Sequence, residues 1–428
     1  MLALASCSKS DIIFEKVTNP ISISSPTPVN YVDALTLDAE QQGYVKSANS
    51  FAFNCLAELY NETKSSIIFS PLSLQYALAM AVNGASGETA AEITRALGFG
   101  SDIESLNTYC NLLLNQLPAL DKNVELKLTD AMLVTDRLVL KNDYQLTLKN
   151  VYYAPVQYIS TESKKEVVNR INEWAYHNTN GFIDKLIDES DVDDAFVAAI
   201  MNALYFKAKW AGTEYSPMFM EEATMKNETF YLDGGGKAKL DLMRTSDYFA
   251  YSERSGYRVA AIPYASGKYC MYILLPDVSG KDGLATLVKQ LPSEKWSDIL
   301  ASLKYDTNVH LRLPKFKIEN KFDLNDAMKA LGVKKAFDGE VAEFDRMFDA
   351  SPDWSFWIGK IIQKAKISVA EWGTEAAAVT VVMMDGATSA GPGPDLKEVN
   401  FYADHPFVYV IADSGSGTIL FEGVFDGK

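Results

Sequence analysis

The sequence predicts an α+β fold, and three observations carry that prediction. Helical patterns crowd the first third of the chain and strand patterns the last half, whereas βαβ units would interleave them. From Tyr44 onward no shift in composition marks a second domain, and no internal repeat occurs, so residues 41–428 are expected to form one large domain. Of the 428 residues, 48% are hydrophobic and 22% charged, enough apolar material for a sizeable core.

Individual elements are well punctuated. In SPLSLQYALAMAVNG, Ser70 is placed to cap a helix that Pro71 opens and Gly84 ends. In TAAEITRALG, Thr89 and Glu92 stand at capping-box spacing and Gly98 stops the helix. Residues 195–206, AFVAAIMNALYF, are apolar apart from Asn202, the pattern of a central strand covered on both faces. DGGGK (233–237) reads as a hairpin turn, since it lacks the spacing and following Ser/Thr of a phosphate loop. In VHLRLPKFKI, apolar residues alternate from Val309 to Ile318, and Pro314 breaks the period, predicting a bulge or an edge. FVYVIADSGSGTILFEGVF predicts a closing hairpin that turns over residues 413–417.

Composition excludes several functions. A net charge of −16 disfavours nucleic acid and anionic membrane surfaces. Cys7, Cys55, Cys110 and Cys270 are scattered without metal-type spacing, and His177, His310 and His405 show no zinc-protease motif, so no metal or cofactor is expected. No segment is long and apolar enough to span a bilayer. The N-terminal LALASC places Leu4, Ala5 and Ser6 before Cys7, as in a bacterial lipoprotein processing site. A chance apolar hexamer would look the same, because the charged start and most of the apolar core of a signal are missing. The match at the cleavage end and the polar residues that follow favour the lipoprotein reading. Residues 1–7 are then the end of a truncated signal, Cys7 is the lipidated residue, and residues 8–40 form a tether. The expected location is outside the cytoplasm, in the periplasm or on the outer surface, with membrane contact only through the lipid.

Enzyme signatures are absent. Ser86 in GASG and Ser416 in SGSG do not form the G-x-S-x-G elbow. His405 in ADHPF has no nearby motif to supply a partner, which favours a structural role. Asp193-Asp194 and Glu221-Glu222 are ordinary surface acidic pairs.

The segment 371–395, EWGTEAAAVTVVMMDGATSAGPGPD, is the unusual one. In an extended chain Thr374, Ala376, Ala378, Thr380, Val382 and Met384 share one face, with Glu375, Ala377, Val379, Val381 and Met383 on the other. It is strand-prone and almost uncharged to Met384, then turns to Gly, Ser, Pro and Asp. Three readings compete: a permanent core strand followed by a loop, a helix favoured by TEAAA, or a strand held outside until released. Pattern alone favours the first.

The order of motifs along the chain resembles that of the serpins. FSPLSLQYALAMAVNGASGETAAEI resembles the family's early helix pair, and NALYFKAKW its central strand and breach tryptophan. LRLPKFKIE, ALGVKKAFD and IQKAKISVAEWGTEAAA follow in family order, and FYADHPFVYVI resembles the signature after the loop, with Asp404, His405, Pro406 and Phe407. The likeness runs from about Asn49 to the end. It implies a serpin fold, with mixed, mainly antiparallel sheets, surrounding helices and an exposed reactive-centre loop. It also implies suicide-substrate inhibition of a serine or cysteine endopeptidase by a non-enzymatic monomer. The protease attacks the loop and forms an acyl-enzyme, and the freed hinge inserts into the main sheet and traps it.

The resemblance assigns the hinge to Glu371, Gly373, Thr374, Glu375, Ala376, Ala377, Ala378 and Thr380. The breach falls at Trp210 and the shutter at Ser70, Ser73 and Asn202, with Gln363 where many serpins carry histidine. The expected scissile bond is Ala387-Thr388, with Met383, Met384, Gly386 and Ala390 as alternatives. No Lys or Arg lies between Lys366 and Lys397, which points to elastase-like or subtilisin-like targets. Residues 101–125 contain only Lys122 as a basic residue, against heparin activation. The small hinge residues favour an inhibitor over the rival reading, a non-inhibitory serpin that binds, stores or chaperones.

Overall fold

The structure, a computed structural model, describes residues 30–135, 138–159, 163–192, 196–213, 215–279, 282–348, 355–374 and 397–428. Helices come first: α1 (Ala39–Thr63), α2 (Pro71–Gly84), α3 (Gly87–Leu97), α4 (Ile103–Gln116), α5 (Asn142–Val151) and α6 (Lys164–Asn178). Three short helices follow among the later strands: α7 (Gly283–Gln290), α8 (Trp296–Ser302) and α9 (Asn325–Ala330).

Three sheets complete the body. The first is wholly antiparallel. Its order is β1 (Ile67–Phe69), β16 (Ile419–Phe425), β15 (Phe407–Asp413), β9 (Tyr269–Pro276), β8 (Tyr257–Tyr264) and β7 (Ala250–Arg254). The second has four strands: β14 (Lys397–Tyr402), β10 (Thr307–Pro314), β6 (Lys237–Asp247) and β5 (Met225–Tyr231), with β14 and β10 parallel. The main sheet runs β11 (Phe316–Asp323), β12 (Ile362–Ala370), β13 (Gly373–Thr374), β4 (Ala198–Lys209), β2 (Val124–Thr135) and β3 (Val156–Ile159). The α+β expectation holds.

Local chemistry explains most boundaries. Asp38 and Gln41 form a reciprocal capping box at the start of α1. Ser70 caps α2 by accepting the Ser73 N–H, with Pro71 at the first helical position, as expected. The start of α3 is a correction. Ser86, not Thr89, is the flanking residue, and the Glu343 carboxylate accepts the N–H groups of Glu88 and Thr89. Thr89 turns its hydroxyl to the Glu343 N–H, while Glu92 accepts from Lys334 and Lys335. A distant carboxylate has replaced the local capping box.

The two predicted hairpins form, turning between β5 and β6 and between β15 and β16. Pro314 marks neither a bulge nor an edge. It ends β10, and after Lys315 the chain enters the main sheet as β11. Phe230, Phe316, Phe407 and Phe425, drawn from all three sheets, cluster beneath this corner, with Phe316 stacked on Phe425 and most other pairs edge-to-face or tilted. The expected tether boundary at residue 40 also shifts. The Val32 N–H donates to Ala119, and Leu35 and Leu37 pack on the core, so the packed body begins ahead of α1.

The large core fills the space between the first sheet, the main sheet and helices α1 and α2. A smaller cluster lies on the opposite face of the main sheet, where α6 packs Val167, Ile171 and Trp174 over Ala131, Leu133, Met201 and Ala203. The strand predicted over 195–206 begins at Ala198. Met201 and Ala203 are buried under α6, while Ala198, Ile200, Asn202 and Leu204 on the inner face are only half-buried.

Candidate functional site

That half-burial has a direct cause. Strand β4 pairs with β2 along its length, from Ala208 opposite Val124 to Ala198 opposite Val134. On its other edge the described partners are Gly373 and Thr374, opposite Lys209 and Ala208. Those two residues also pair with Ala370 and Val369 of β12. Below them β4 and β12 diverge around a cavity of about 490 Å3, lined by Ile200, Asn202, Leu204, Gln363 and Ala365 and floored by Ser73 and Leu78. The main sheet is closed at the top and open below.

The top is densely bonded. Trp210 follows β4, is 5% exposed, and stacks on Tyr264 with ring centroids 4.5 Å apart. Its Nε1 donates to the Ala370 carbonyl at 2.8 Å. Tyr264 and Thr374 share a hydroxyl–hydroxyl hydrogen bond, and Thr374 is 3% exposed. Gly373 has φ +146°, and a Cβ there would lie 2.1 Å from the Ala208 carbonyl oxygen, so glycine is required. The Glu371 carboxylate accepts from Lys315 Nζ at 2.8 Å and Thr224 Oγ1 at 2.7 Å. Burial alone would raise its pKa, but the hydrogen bonds from Lys315 and Thr224 outweigh it and hold the acid below its usual value.

Lower down, the polar residues separate into two groups. The Gln363 amide bridges β12 to the start of α2, accepting the Ser70 N–H and donating to the Ser70 carbonyl, both at 2.9 Å. Ser70 Oγ accepts from Ser73 N–H at 3.1 Å and donates to Leu420 at 2.8 Å. Asn202 is outside this network. Its Nδ2 donates to Asp130 Oδ1 at 2.6 Å, leaving Asn202 Oδ1 and Asp130 Oδ2 without partners among the described residues. Burial raises the Asp130 pKa to about 7, partly countered by the Asn202 hydrogen bond. Asp130 was missed in the sequence, although an acidic residue inside the apolar run LTDAMLV is a visible signal.

The remaining predicted residues are placed as follows. Both ring nitrogens of His405 face acceptors, Asp404 Oδ1 at 2.9 Å and the Pro276 carbonyl at 2.8 Å, tying the β14–β15 connection to β9. Pro406 and Phe407 are buried beside it. Cys7, Glu375, Ala376, Ala377, Ala378, Thr380, Met383, Met384, Gly386, Ala387, Thr388 and Ala390 lie outside the described residues. Ser246, His310 and Glu398 line up on an exposed strand face, with contacts of 2.8 and 3.7 Å. Flanking N–H groups there belong to the sheet ladder rather than converging as an oxyanion hole.

Three layers of sheet and helix, a main sheet open in its middle, and a first inserted pair of residues at its top define the serpin architecture. The chain matches the family described as Serpin (serine protease inhibitor) over residues 46–426 and belongs to it. It is 31% identical over 409 residues to an uncharacterised serpin-like protein of Thermococcus kodakarensis, covering 95% of this chain and 90% of that one. The native structure of the thermophilic serpin tengpin superposes with TM-score 0.77 and 27% identity, covering 93% of this chain and 97% of that one. Human thyroxine-binding globulin, at 24% identity and TM-score 0.77, covers 90% and 98% and shares the fold. Serpins generally inhibit proteases rather than catalyse, though some, thyroxine-binding globulin among them, do not inhibit.

Proposed function

We propose that this chain is an inhibitory serpin, a suicide substrate that traps a serine or cysteine protease as its acyl-enzyme rather than an enzyme itself. The observation that carries the reading is the register at the top of the main sheet. Gly373 and Thr374 already bridge β12 and β4, and below them β4 offers ten residues, Ala198 to Lys207, to an incoming strand. Carried downward, the same register sets Ala378 between Ala365 and Leu204, and Thr380 between Gln363 and Asn202. Small side chains thus meet the narrow upper gap, and a hydroxyl arrives beside the unpartnered Asn202 Oδ1. Met384 falls opposite Ala198 at the end of β4, so the charged Asp385 stays out of the lane.

This register supports cleavage beyond Met384. A bond at Ala387-Thr388 lets residues 375–384 fill the lane, as do Gly386 and Ala390, whereas Met383 leaves it one residue short. Ten residues at about 3.3 Å each carry the bound protease some 30 Å. The targets we infer are elastase-like or subtilisin-like, from the absence of Lys and Arg between Lys366 and Lys397. Lipidation at Cys7 and an extracytoplasmic location remain part of the proposal, supported by Leu4-Ala5-Ser6-Cys7.

The test is incubation with elastase-, subtilisin-, chymotrypsin- and papain-type proteases. An SDS-stable complex is expected, with mass spectrometry of the released fragment locating the bond. Clean cleavage without complex, across the panel, overturns the inhibitor reading in favour of a non-inhibitory binding or storage protein.

A further inference from the structure

The outer face of the four-stranded sheet carries an arrangement that stability does not explain. Arg312 on β10 and Arg244 on β6 are direct cross-strand partners on one face. Like charges at that spacing repel. Neither guanidinium takes part in an ion pair among the described residues, although the chain as a whole carries a net charge of −16. Arg312 lies 3.9 Å from the Tyr402 ring centroid, and the Tyr402 hydroxyl donates to Asn400 Oδ1 at 2.8 Å. Stacking on a ring that is itself anchored holds the guanidinium fork in a fixed orientation. The neighbouring His310 is already engaged by Ser246 and Glu398. What remains is two adjacent, unneutralised arginines, Arg244 exposed and Arg312 half-exposed.

We propose that Arg244, Arg312 and Tyr402 form an accessory docking site for an acidic surface loop of the attacking protease. This rests on the inhibitor reading. Charge complementarity selects the occupant: two forked guanidinium groups match one or two carboxylates. A sulfated or phosphorylated polymer requires a longer basic track, and here Glu398, in contact with His310, interrupts the same strand face. Chain continuity supports the same partner. Tyr402 lies on β14, which begins at Lys397, directly after the segment a protease would attack, so an arriving protease first meets the chain beside this sheet, before insertion carries it away.

The test compares wild-type protein with Arg244→Glu/Arg312→Glu, Arg312→Lys, and Lys149→Glu on the remote helix α5. With a protease that forms the SDS-stable complex, the double reversal should lower the association rate at least tenfold at low salt. Arg312→Lys should lose less, and Lys149→Glu nothing. Single Arg244→Glu, which removes the like-charge pair, should keep or raise the unfolding midpoint while slowing association, separating docking from folding. Equal rates for wild type and double variant overturn the proposal. If no protease forms a complex, the inhibitor reading fails, and fluorescein-labelled hexaglutamate decides this one by anisotropy. Tenfold weaker binding to the double variant upholds an acidic-peptide site, whereas equal or absent binding, or tighter binding of a heparin oligosaccharide, overturns it.

Discussion

Around Gly373 and Thr374 the polar groups are matched: Trp210 to Ala370, Tyr264 to Thr374, Glu371 to Lys315 and Thr224. Six residues down β4, about 20 Å away, Asn202 Oδ1 and Asp130 Oδ2 are buried without partners among the described residues. The upper sheet is therefore finished and the lower sheet is not. A buried polar atom left unmatched costs about 1–3 kcal/mol, so the lower half stores free energy that a strand bringing a hydroxyl group would recover. The matched top meanwhile fixes where such a strand starts and in which register. For the proposed insertion, direction would come from one region and driving force from the other.

The contrast is open to attack by substitution. Thr374→Arg places a long charged side chain where Thr374 is buried against Tyr264, and should convert the inhibitor to a substrate. An undiminished SDS-stable complex would contradict this. Asp130→Asn removes an acid whose burial raises its pKa from 3.8 to about 7. A raised acid pKa means that the folded state binds the proton more tightly. Stability from this group is present below the unfolded pKa and is lost as pH rises through about 7. At pH 8 the variant should be more stable by on the order of 4 kcal/mol, with little difference near pH 4. Unfolding in denaturant at the two pH values measures it.

Gly373→Ala tests the top. Its Cβ would meet the Ala208 oxygen in a backbone conformation that L-residues rarely adopt, and a loss of at least about 2 kcal/mol is expected. Hydrogen exchange should show it in the amides of Ala208–Trp210. Glu371→Gln gives the smallest effect. It leaves Lys315 without its carboxylate and should cost about 1 kcal/mol, seen as faster spontaneous loss of inhibitory activity on storage. A variant as durable as wild type would show that the clamp does not restrain the hinge.

How far these two regions could be read in advance follows the range of the interactions that build them. Ser70, Pro71 and Gly84 act through neighbours within a turn, and α2 forms where they place it. The hairpins at 233–237 and 413–417 are equally local. Glycine at 373 was legible as a hinge residue through family resemblance, but its steric reason, the Ala208 carbonyl, lies 165 positions away. Thr89 and Glu92 mimic a capping box, yet Glu343 takes the site because its carboxylate reaches two orphan N–H groups. The family resemblance groups Asn202 with Ser70 and Gln363. The fold instead turns it to Asp130, its cross-strand neighbour, a pairing that only sheet register reveals. Lys315, too, became visible as the partner of Glu371 only once β10 and β11 were seen to part around it.

Trp210 and Trp372 flank the first residues of β13. One indole is stacked on Tyr264 and 5% exposed; the other is 37% exposed. Any strand lengthening from Thr374 must perturb both within a few ångströms, and indole emission responds to such changes in solvation and ring contact. The protein thus carries its own optical gauge at the mouth of the sheet. Stopped-flow fluorescence, without an attached dye, can time the proposed closure of the sheet after the loop is cut.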